Sequence, residues 1–194
     1  MLSYLLILIL AQVDYGLPRH QYESSNNEVI INFDPMTRNP RFVVEFLNAK
    51  VLTKSLSRTY NPFKADESLP KFLKVYPQDY IGSGYDRGHM APAANHLSSR
   101  EAFEFTFLMT NMTPQLPEVN RQVWKDLEVS VRNNKDLFDS CWIVTCPVYG
   151  SPEDSFTINK VSQRIWVPTH LGKSILATRR VGSETRYTLQ SYII

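Results

Sequence analysis

One stretch of the chain has a clear helical pattern, and it restricts the folds that the rest can adopt. From Pro117 the sequence reads PEVNRQVWKDLEVSVRN, with an aliphatic residue at every fourth position: Val119, Val123, Leu127 and Val131. Residues four apart lie on one face of an α-helix, so the pattern predicts an amphipathic helix with a buried stripe. Such a stripe must pack against another apolar surface.

Strand patterns lie on both sides of this helix. Residues 28–52 contain two alternating apolar runs joined by a turn rich in Pro and Asn, which predicts a β-hairpin. The segments CWIVTCPVY from Cys141 and QRIWVPTHLGKSILATRR from Gln163 predict further strands, because they are rich in Ile, Val and Trp. FLMTNMTPQ from Phe107 predicts a buried strand that runs into a turn. Helices and strands do not alternate in a regular βαβ order, so the fold class is α+β.

A second, shorter helix is predicted at SSREAFEFTF. Ser98 stands three residues before Glu101, which is the spacing of a capping box at a helix N-terminus. Before this helix, residues 53–80 are polar, carry many cations and contain three prolines, which predicts a long irregular connection.

Composition limits the classes of protein that remain. The 194 residues suit one domain, and 43% hydrophobic with 21% charged residues is ordinary for a globular protein. The net charge of +2 provides no global field that attracts nucleic acid, so a site for a polyanion must come from a local cluster of cations. The two cysteines, Cys141 and Cys146, would lie about 16 Å apart on opposite faces of one strand, which excludes a disulfide between them.

The two ends of the chain suggest a leader and a shortened domain. MLSYLLILILAQ, residues 1–12, is apolar and shorter than the roughly 20 residues of a membrane span, so we expect a signal-like leader without stable membrane insertion. A buried first strand is the alternative. Residues 13–194 are then the domain. The final YTLQSYII stops within a strand pattern, which suggests that the C-terminal part of the domain is missing.

The segment SGYDRGHMAPAANH, residues 83–96, has poor periodicity for a helix or a strand, so ordinary core packing does not account for its composition. His89 carries an imidazole, which is the natural general base near neutral pH, although a hydrogen-bonded loop residue is the alternative. Arg87 can hold two phosphate oxygens, or it can form an ion pair with Asp86. Gly88 leaves room for a phosphate to approach the backbone.

The helix adds a second group of polar side chains. Asn120, Trp124 and Glu128 are spaced by four residues and span about 80° around a helix axis at about 100° per residue. An amide oxygen and a carboxylate suit Mg²⁺, which takes few direct protein ligands and keeps several waters. A solvated polar face beside Trp124 is the alternative interpretation.

The remaining histidines and tryptophans receive structural interpretations. His96 follows Asn95 at the end of a loop and is expected to be solvated or to cap a turn. His170 is expected to form hydrogen bonds at a strand end. All three tryptophans are expected in the core: Trp124, Trp142 and Trp166.

Three strings, DRGHMAPA, TNMTPQ and NRQVWKDLE, occur in that order and closely resemble the DNA/RNA non-specific endonucleases. This family includes mitochondrial endonuclease G and secreted sugar-non-specific nucleases. The resemblance runs from YGLP at Tyr15 to VPTH at Val167. It implies a ββα-metal (His-Me finger) fold, with a mixed, mostly antiparallel sheet flanked by helices, in which two strands and a helix hold one Mg²⁺.

The resemblance also implies a role for each site residue. His89 is the expected general base, and Asn120 the expected direct metal ligand. Glu128 is expected to hold metal-bound water and Arg87 to contact the phosphate. Arg58, in SLSRTYNPF, is expected to contact phosphate as well. Three further residues are expected to support the site: Asp86, Asn111 and Gln115.

The expected activity is hydrolysis of DNA and RNA with little sequence specificity, because no recognition helix, zinc finger or aromatic RNA-binding motif is visible. Mg²⁺ is the expected cofactor, with Mn²⁺ as a substitute, and the family often forms homodimers. The leader predicts secretion or an organelle lumen, and the resemblance offers mitochondria as the alternative. A catalytically inactive nucleic-acid-binding relic and a phosphodiesterase for small nucleotides are the rival functions.

Some positions depart from the family pattern. Cys146 stands where the family usually has glycine, so backbone strain is expected there if the position needs a positive φ. Leu171 and Gly172 replace bulkier or aromatic residues, which predicts a thinner local core.

Overall fold

Ten strands form the framework of the computed structural model, which describes residues 22–54, 56, 63–150, 160–162 and 164–194. The strands in chain order are β1 (Glu23–Ser25), β2 (Val29–Asp34), β3 (Asn39–Asn48), β4 (Asp86–His89), β5 (Met112–Gln115), β6 (Ser140–Val148), β7 (Lys160–Val161), β8 (Ile165–Trp166), β9 (His170–Val181) and β10 (Glu184–Ile193). The α-helices are α1 (Arg100–Phe105) and α2 (Trp124–Asn133), and the short helical turns are the 3-10 helices Pro77–Tyr80, Ala93–Asn95, Met109–Asn111 and Lys135–Leu137 and the π-helix Val119–Val123.

Six strands form the main sheet, in the order β1-β2-β3-β6-β9-β10, with every neighbouring pair antiparallel. The predicted hairpin at residues 28–52 is confirmed as β2 and β3, which pair Val29 with Glu45 and Ile31 with Val43. The remaining strands form two-stranded ribbons, β4 with β5 and β7 with β8.

The helix that follows β5 begins with a π-turn, and this changes its buried face. The amide of Trp124 donates to the carbonyl of Val119, five residues back. One extra residue per turn rotates the next side chains outward. Val123 is therefore 45% exposed, and the prediction that it joins the buried stripe is wrong. Trp124, 1% exposed, takes its place, and Leu127 and Val131 continue the buried face.

The antiparallel ribbon β4–β5 and the helix α2 form a ββα arrangement that packs on one face of the main sheet. Two apolar clusters join α2 to this face. Trp124 packs with Val29, Ile31 and Val43, while Val131 packs with Leu47. The α+β, ββα-metal class predicted from the sequence is confirmed by this architecture.

The short helix α1 is confirmed, but its cap lies one residue later than predicted. The Ser99 hydroxyl, not that of Ser98, accepts the amide hydrogen of Ala102. Ser98 instead donates to the Glu28 carboxylate over 2.7 Å. A capping serine must have an extended backbone that enters the helix, and Ser99 has φ −144° and ψ 156°.

Of the two structural predictions for histidines, one is confirmed and one is wrong. His170, at the start of β9, is exposed, and its Nδ1 lies 3.0 Å from the Thr169 hydroxyl, as expected for a strand-end hydrogen bond. The prediction for His96 is wrong, because this side chain is fully buried between two carboxylates. Residues distant in sequence, Glu28 and Glu45, form its surroundings.

The expected strain at Cys146 is absent, since the positive-φ non-glycine residues of the described chain are Arg38 and Ser162. Cys146 pairs across strands with Gly172, where a Cβ would lie 3.0 Å from the Cys146 sulfur. The glycine on β9 therefore makes room for the thiol on β6. The two cysteines are free thiols, as predicted.

Of the tryptophans, Trp124 is in the core, as predicted, whereas Trp142 and Trp166 are half-buried. Trp142 packs 5.1 Å from the ring of Phe46, and Trp166 lies 5.8 Å from that of Tyr149. The leader of residues 1–12 and Arg58 lie outside the described residues. Among the described residues, no helix is both long and apolar enough to cross a membrane.

Candidate active site

His89 is the last residue of β4, and neighbouring backbone and rings fix its position. It pairs with Met112 of β5, and its carbonyl accepts the Trp124 indole hydrogen over 3.4 Å. Its ring meets Phe107 edge-on at 5.1 Å and lies 5.5 Å from Phe63. The imidazole thus stands against an aromatic wall at the junction of β4 and α2.

Asn111 holds the chain that leaves His89. Its amide nitrogen donates to the carbonyls of Ala91 and Thr106 over 2.9 and 2.8 Å, and its amide oxygen accepts from the Ala91 amide over 3.0 Å. The backbone amide of Met90 donates to the Asn111 carbonyl over 3.0 Å. Because both ends of the buried side chain are used by backbone groups, Asn111 shapes the loop and does not face a ligand.

Gln115 packs across Gly88. A Cβ on Gly88 would lie 2.0 Å from the Gln115 side-chain carbon Cδ, far inside contact distance. Gly88 is therefore required for this packing, which is a different use from the phosphate approach expected from the sequence. Gln115 is 3% exposed and supports β4 from the neighbouring strand.

Asp86, at the start of β4, binds two residues of the π-turn. The Asn120 amide nitrogen donates to Asp86 over 2.8 Å, and the Arg121 guanidinium donates to both carboxylate oxygens over 2.8 and 2.7 Å. The hydrogen bonds from Arg121 lower the pKa of Asp86, with help from Asn120 and against the opposing effect of partial burial. The carboxylate is therefore a fixed acceptor that orients the Asn120 amide.

One cavity of about 450 Å³ lies between the β4 end and α2. It brings together His89, Asn120 and Glu128, which the sequence predicts to share a site. The rest of the lining consists of cations and small residues: Arg121, Lys125, Arg132, Pro92, Ala93 and Ala94. A base, two oxygen-bearing side chains and three cations thus surround a space that can hold a phosphodiester group.

This geometry agrees with the comparisons to known proteins. The family model described as DNA/RNA non-specific endonuclease matches residues 9–194. The chain belongs to this family. The family predicted from the DRGH, NMTPQ and NRQVWKDLE motifs is thereby confirmed.

Individual relatives of this endonuclease family give the same result. Mitochondrial nuclease EXOG of Xenopus laevis is 33% identical over 189 residues, which are 93% of this chain and 52% of the relative. Mitochondrial endonuclease G of Bos taurus is 32% identical over 93% of this chain and 61% of its own length. The chain spans about half the length of the first of these curated relatives.

A solved structure of EndoG with EndoGI, described as revealing the mechanism of EndoG inhibition, has the same fold. It superposes with a TM-score of 0.82 at 31% identity and covers 95% of this chain and 78% of its own.

Arg87 of the endonuclease motif does not line the cavity, but it packs on Phe63, which also contacts His89. Its guanidinium carbon lies 4.5 Å from the centre of the Phe63 ring, and Nη1 donates to the Pro77 carbonyl over 3.3 Å. The alternative ion pair with Asp86 is not formed, because Arg121 takes both oxygens of that carboxylate. Arg87 and His89 contact the same Phe63 ring, as expected for alternate residues on one side of a strand.

The donor set fits a hydrated divalent cation. With the Asn120 nitrogen committed to Asp86, the amide oxygen is the end that can coordinate a metal. Glu128 adds a carboxylate in the same cavity. Within the described residues no group of three or more His, Cys, Asp or Glu side chains could hold a metal.

Arg132 also lines the cavity but was not predicted as a site residue, although its spacing from Glu128 indicates it. Arg132 follows Glu128 by four residues and so lies on the same face of α2, one turn further along. Its Nη1 donates to the Asn95 amide oxygen over 2.9 Å while the side chain lines the cavity.

Proposed function

We propose that this protein hydrolyses phosphodiester bonds in DNA and RNA with Mg²⁺ as cofactor and His89 as general base. The observation that carries the proposal is the meeting of His89, Asn120 and Glu128 in one cavity among three cations. Phosphodiester cleavage needs a group that takes a proton from water and positive charge where the phosphoryl oxygens gain negative charge. This cavity offers both.

His89 takes the proton from the attacking water. The perpendicular ring of Phe107 and the tilted ring of Phe63 limit the positions of its ring, and Asn111 holds the backbone that follows. A base held in this way needs little reorientation before it acts, which lowers the entropic part of the barrier.

Asn120 would hold the metal through its amide oxygen, and Glu128 would hold water bound to that metal. Bound Mg²⁺ would supply Lewis-acid stabilisation of the charge on the phosphate. Asp86 acts indirectly, because its hydrogen bond to the amide nitrogen of Asn120 leaves the amide oxygen available for the metal.

The cations in and near the cavity bind the phosphates of the nucleic-acid backbone. Arg132 lines the cavity directly, and Arg87 lies beside His89 across Phe63. Their guanidinium groups suit phosphate oxygens, which they can contact in pairs. Arg58 keeps its expected role as a further phosphate contact. Such contacts carry little sequence information, so low specificity is expected.

The names of the relatives favour mitochondria over secretion as the compartment, since EXOG and endonuclease G are both mitochondrial nucleases. The homodimer stays a prediction from the family resemblance. The EndoG/EndoGI structure adds a protein inhibitor as a class of partner to test.

Cleavage of supercoiled plasmid and of a long RNA tests the proposed activity. Wild-type protein should cleave both with Mg²⁺ and neither with EDTA. His89→Ala should reduce the rate at least roughly 10²–10⁴-fold, because the base is lost. His170→Ala is the matched control, since His170 is exposed and outside the cavity lining.

Binding of plasmid without cleavage, unchanged by EDTA, would support the inactive relic and overturn the proposal. The rate of cleavage of a dinucleotide tests the remaining alternative function. Equal rates on the dinucleotide and on long duplex DNA would indicate a phosphodiesterase for small nucleotides.

A further inference from the structure

A continuous row of hydrogen bonds runs beneath the cavity, from the main sheet to Arg132. His96 Nδ1 lies 2.8 Å from Glu28 Oε2, and His96 Nε2 lies 3.0 Å from Glu45 Oε2. The same Glu45 oxygen accepts from the Asn95 amide nitrogen over 2.8 Å. The Asn95 amide oxygen then accepts from Arg132 over 2.9 Å. His96 and Glu45 are fully buried, and Asn95 is 2% exposed.

Each member of this row can be oriented in one way. An ionised carboxylate only accepts hydrogen bonds, so both ring nitrogens of His96 must donate, which makes the ring an imidazolium. Burial opposes this charge, but the hydrogen bonds to Glu28 and Glu45 outweigh burial and raise the pKa of His96. The Glu45 carboxylate likewise requires the nitrogen end of the Asn95 amide, which leaves the oxygen end for Arg132.

Charged side chains from the sheet and from α2 surround this row of hydrogen bonds. Glu28 and Glu45 face His96 from the β2 end and from β3. From β9, the buried Lys173 ammonium interacts with Glu45 and Glu128 and donates to Thr145 over 2.6 Å. Glu45 thus lies between two buried basic groups, His96 and Lys173, and burial lowers the pKa of Lys173 against the opposing attraction of Glu45 and Glu128.

We propose that Asn95 is a positioning residue that holds the Arg132 guanidinium in the active cavity, with the Glu45 carboxylate, itself bonded to His96, fixing the Asn95 side-chain amide. Arg132 has a long, flexible side chain, and an anchor at one Nη reduces the freedom that it must lose when phosphate binds. The inference rests on the proposed function for its catalytic consequence. Its structural part, the restriction of Arg132, does not depend on activity.

Local backbone structure places Asn95 where this contact is possible. Residues Ala93–Asn95 form a 3-10 turn after Pro92. The backbone amide of Asn95 donates to the Pro92 carbonyl, and the backbone amide of His96 donates to the Ala93 carbonyl. The turn continues directly from the segment that carries His89. The general base and the anchor of Arg132 therefore belong to one short segment of chain.

A double-mutant cycle on plasmid cleavage tests the positioning role. Asn95→Ala should lower kcat about 10- to 100-fold, the scale for a misplaced catalytic contact. In an Arg132→Ala background, Asn95→Ala should cause no further loss, because its effect passes through the arginine. Losses that multiply in the double variant would overturn the proposal. Asn134→Ala is the control, since Asn134 bonds to Ser130 at the end of α2 outside the cavity lining.

A measurement without substrate separates this inference from the proposed function. Rotation of the Arg132 guanidinium, followed by NMR in the free protein, should be slow in wild type and in Asn134→Ala but fast in Asn95→Ala. Circular dichroism at the same temperature must show all variants folded. Equal rotation in wild type and Asn95→Ala contradicts the inference even if the protein cleaves DNA. Absence of wild-type cleavage contradicts the proposed function and leaves the rotation result to decide the contact.

Discussion

At the scale of single residues, the site depends on groups that determine the orientation of others. Asp86 binds the nitrogen of Asn120, and Asn111 binds the backbone after His89. Asp86 and Asn111 therefore fix the positions of Asn120 and of the backbone after His89. The motif letters predicted that His89, Asn120 and Glu128 share a site, but not which atom of each side chain faces the cavity.

Asp86→Asn should weaken metal binding while the fold survives. An amide at position 86 can present either end to Asn120, and it loses the ion pair with Arg121, so the Asn120 oxygen is no longer fixed. We expect the Mg²⁺ concentration for half-maximal cleavage to rise about 10- to 100-fold. The exposed Asp126→Asn on α2 serves as the control. An unchanged Mg²⁺ requirement in Asp86→Asn contradicts the assigned role.

Gly88→Ala should destabilise the protein by about 1–3 kcal/mol, because the new methyl group enters the space of the Gln115 side chain. Urea denaturation measures the change. The double variant Gly88→Ala/Gln115→Ala should regain part of the loss, since the clash is removed. If the double variant is no more stable than Gly88→Ala, the steric explanation is wrong.

At the scale of elements, the π-turn at Val119–Val123 sets the angle between Asn120 and the side chains of α2. The helix was predictable from its apolar spacing, and so was the hairpin of β2 and β3. The π-turn was not predictable from that spacing, because a run of valines four apart fits a regular α-helix equally well. The structure selects the wider turn, which buries the large indole of Trp124 in place of Val123.

Deletion of Gln122, an exposed residue within the π-turn, should convert the segment to regular α-helix. Asn120 would then rotate by about 100° relative to Glu128. Cleavage should fall at least about 10²-fold, the loss expected for a displaced ligand, while circular dichroism still shows the helix. Gln122→Ala keeps the residue count and should retain activity. Full activity of the deletion variant would show that the π-turn is not needed.

At the scale of the whole molecule, buried charges join the sheet to α2. His96 contacts carboxylates 68 and 51 residues away in sequence, and Asn95 bonds to Arg132, 37 residues away. Local sequence cannot reveal such an environment, which is why a solvated loop histidine was expected. The place of Arg132 beside Glu128 could be predicted from helical spacing, whereas its hydrogen bond to Asn95 could not. Cys146 and Gly172 are a similar pair, since each departure from the family pattern is explained by the other.

These charges predict how stability depends on pH. The pKa of His96 is raised in the folded protein, so its contribution is complete below its usual pKa of about 6.5 and is lost as pH rises through the folded-state value. For Glu28, burial raises the pKa, but hydrogen bonds from His96 and Ser98 outweigh burial and lower it. Its contribution is complete above pH 4.5 and is lost as pH falls through the folded-state value.

Urea denaturation across this range should therefore show the free energy of unfolding decreasing on the alkaline side and again in acid. His96→Gln should flatten the alkaline decrease, and the exposed His170→Gln should leave it unchanged. An alkaline decrease of the same size in His96→Gln would mean that another group causes it.

The central claim is that His89 and Asn120 act at one metal centre, and Mn²⁺ in place of Mg²⁺ tests it most directly. One equivalent of this paramagnetic ion should broaden the NMR signals of the His89 ring in the wild-type protein, because the ring lines the cavity that holds the ion. The broadening should disappear in Asn120→Ala, while His170 stays sharp in both proteins. Sharp His89 signals in the wild type with Mn²⁺ bound, or equal broadening in Asn120→Ala, would contradict the account.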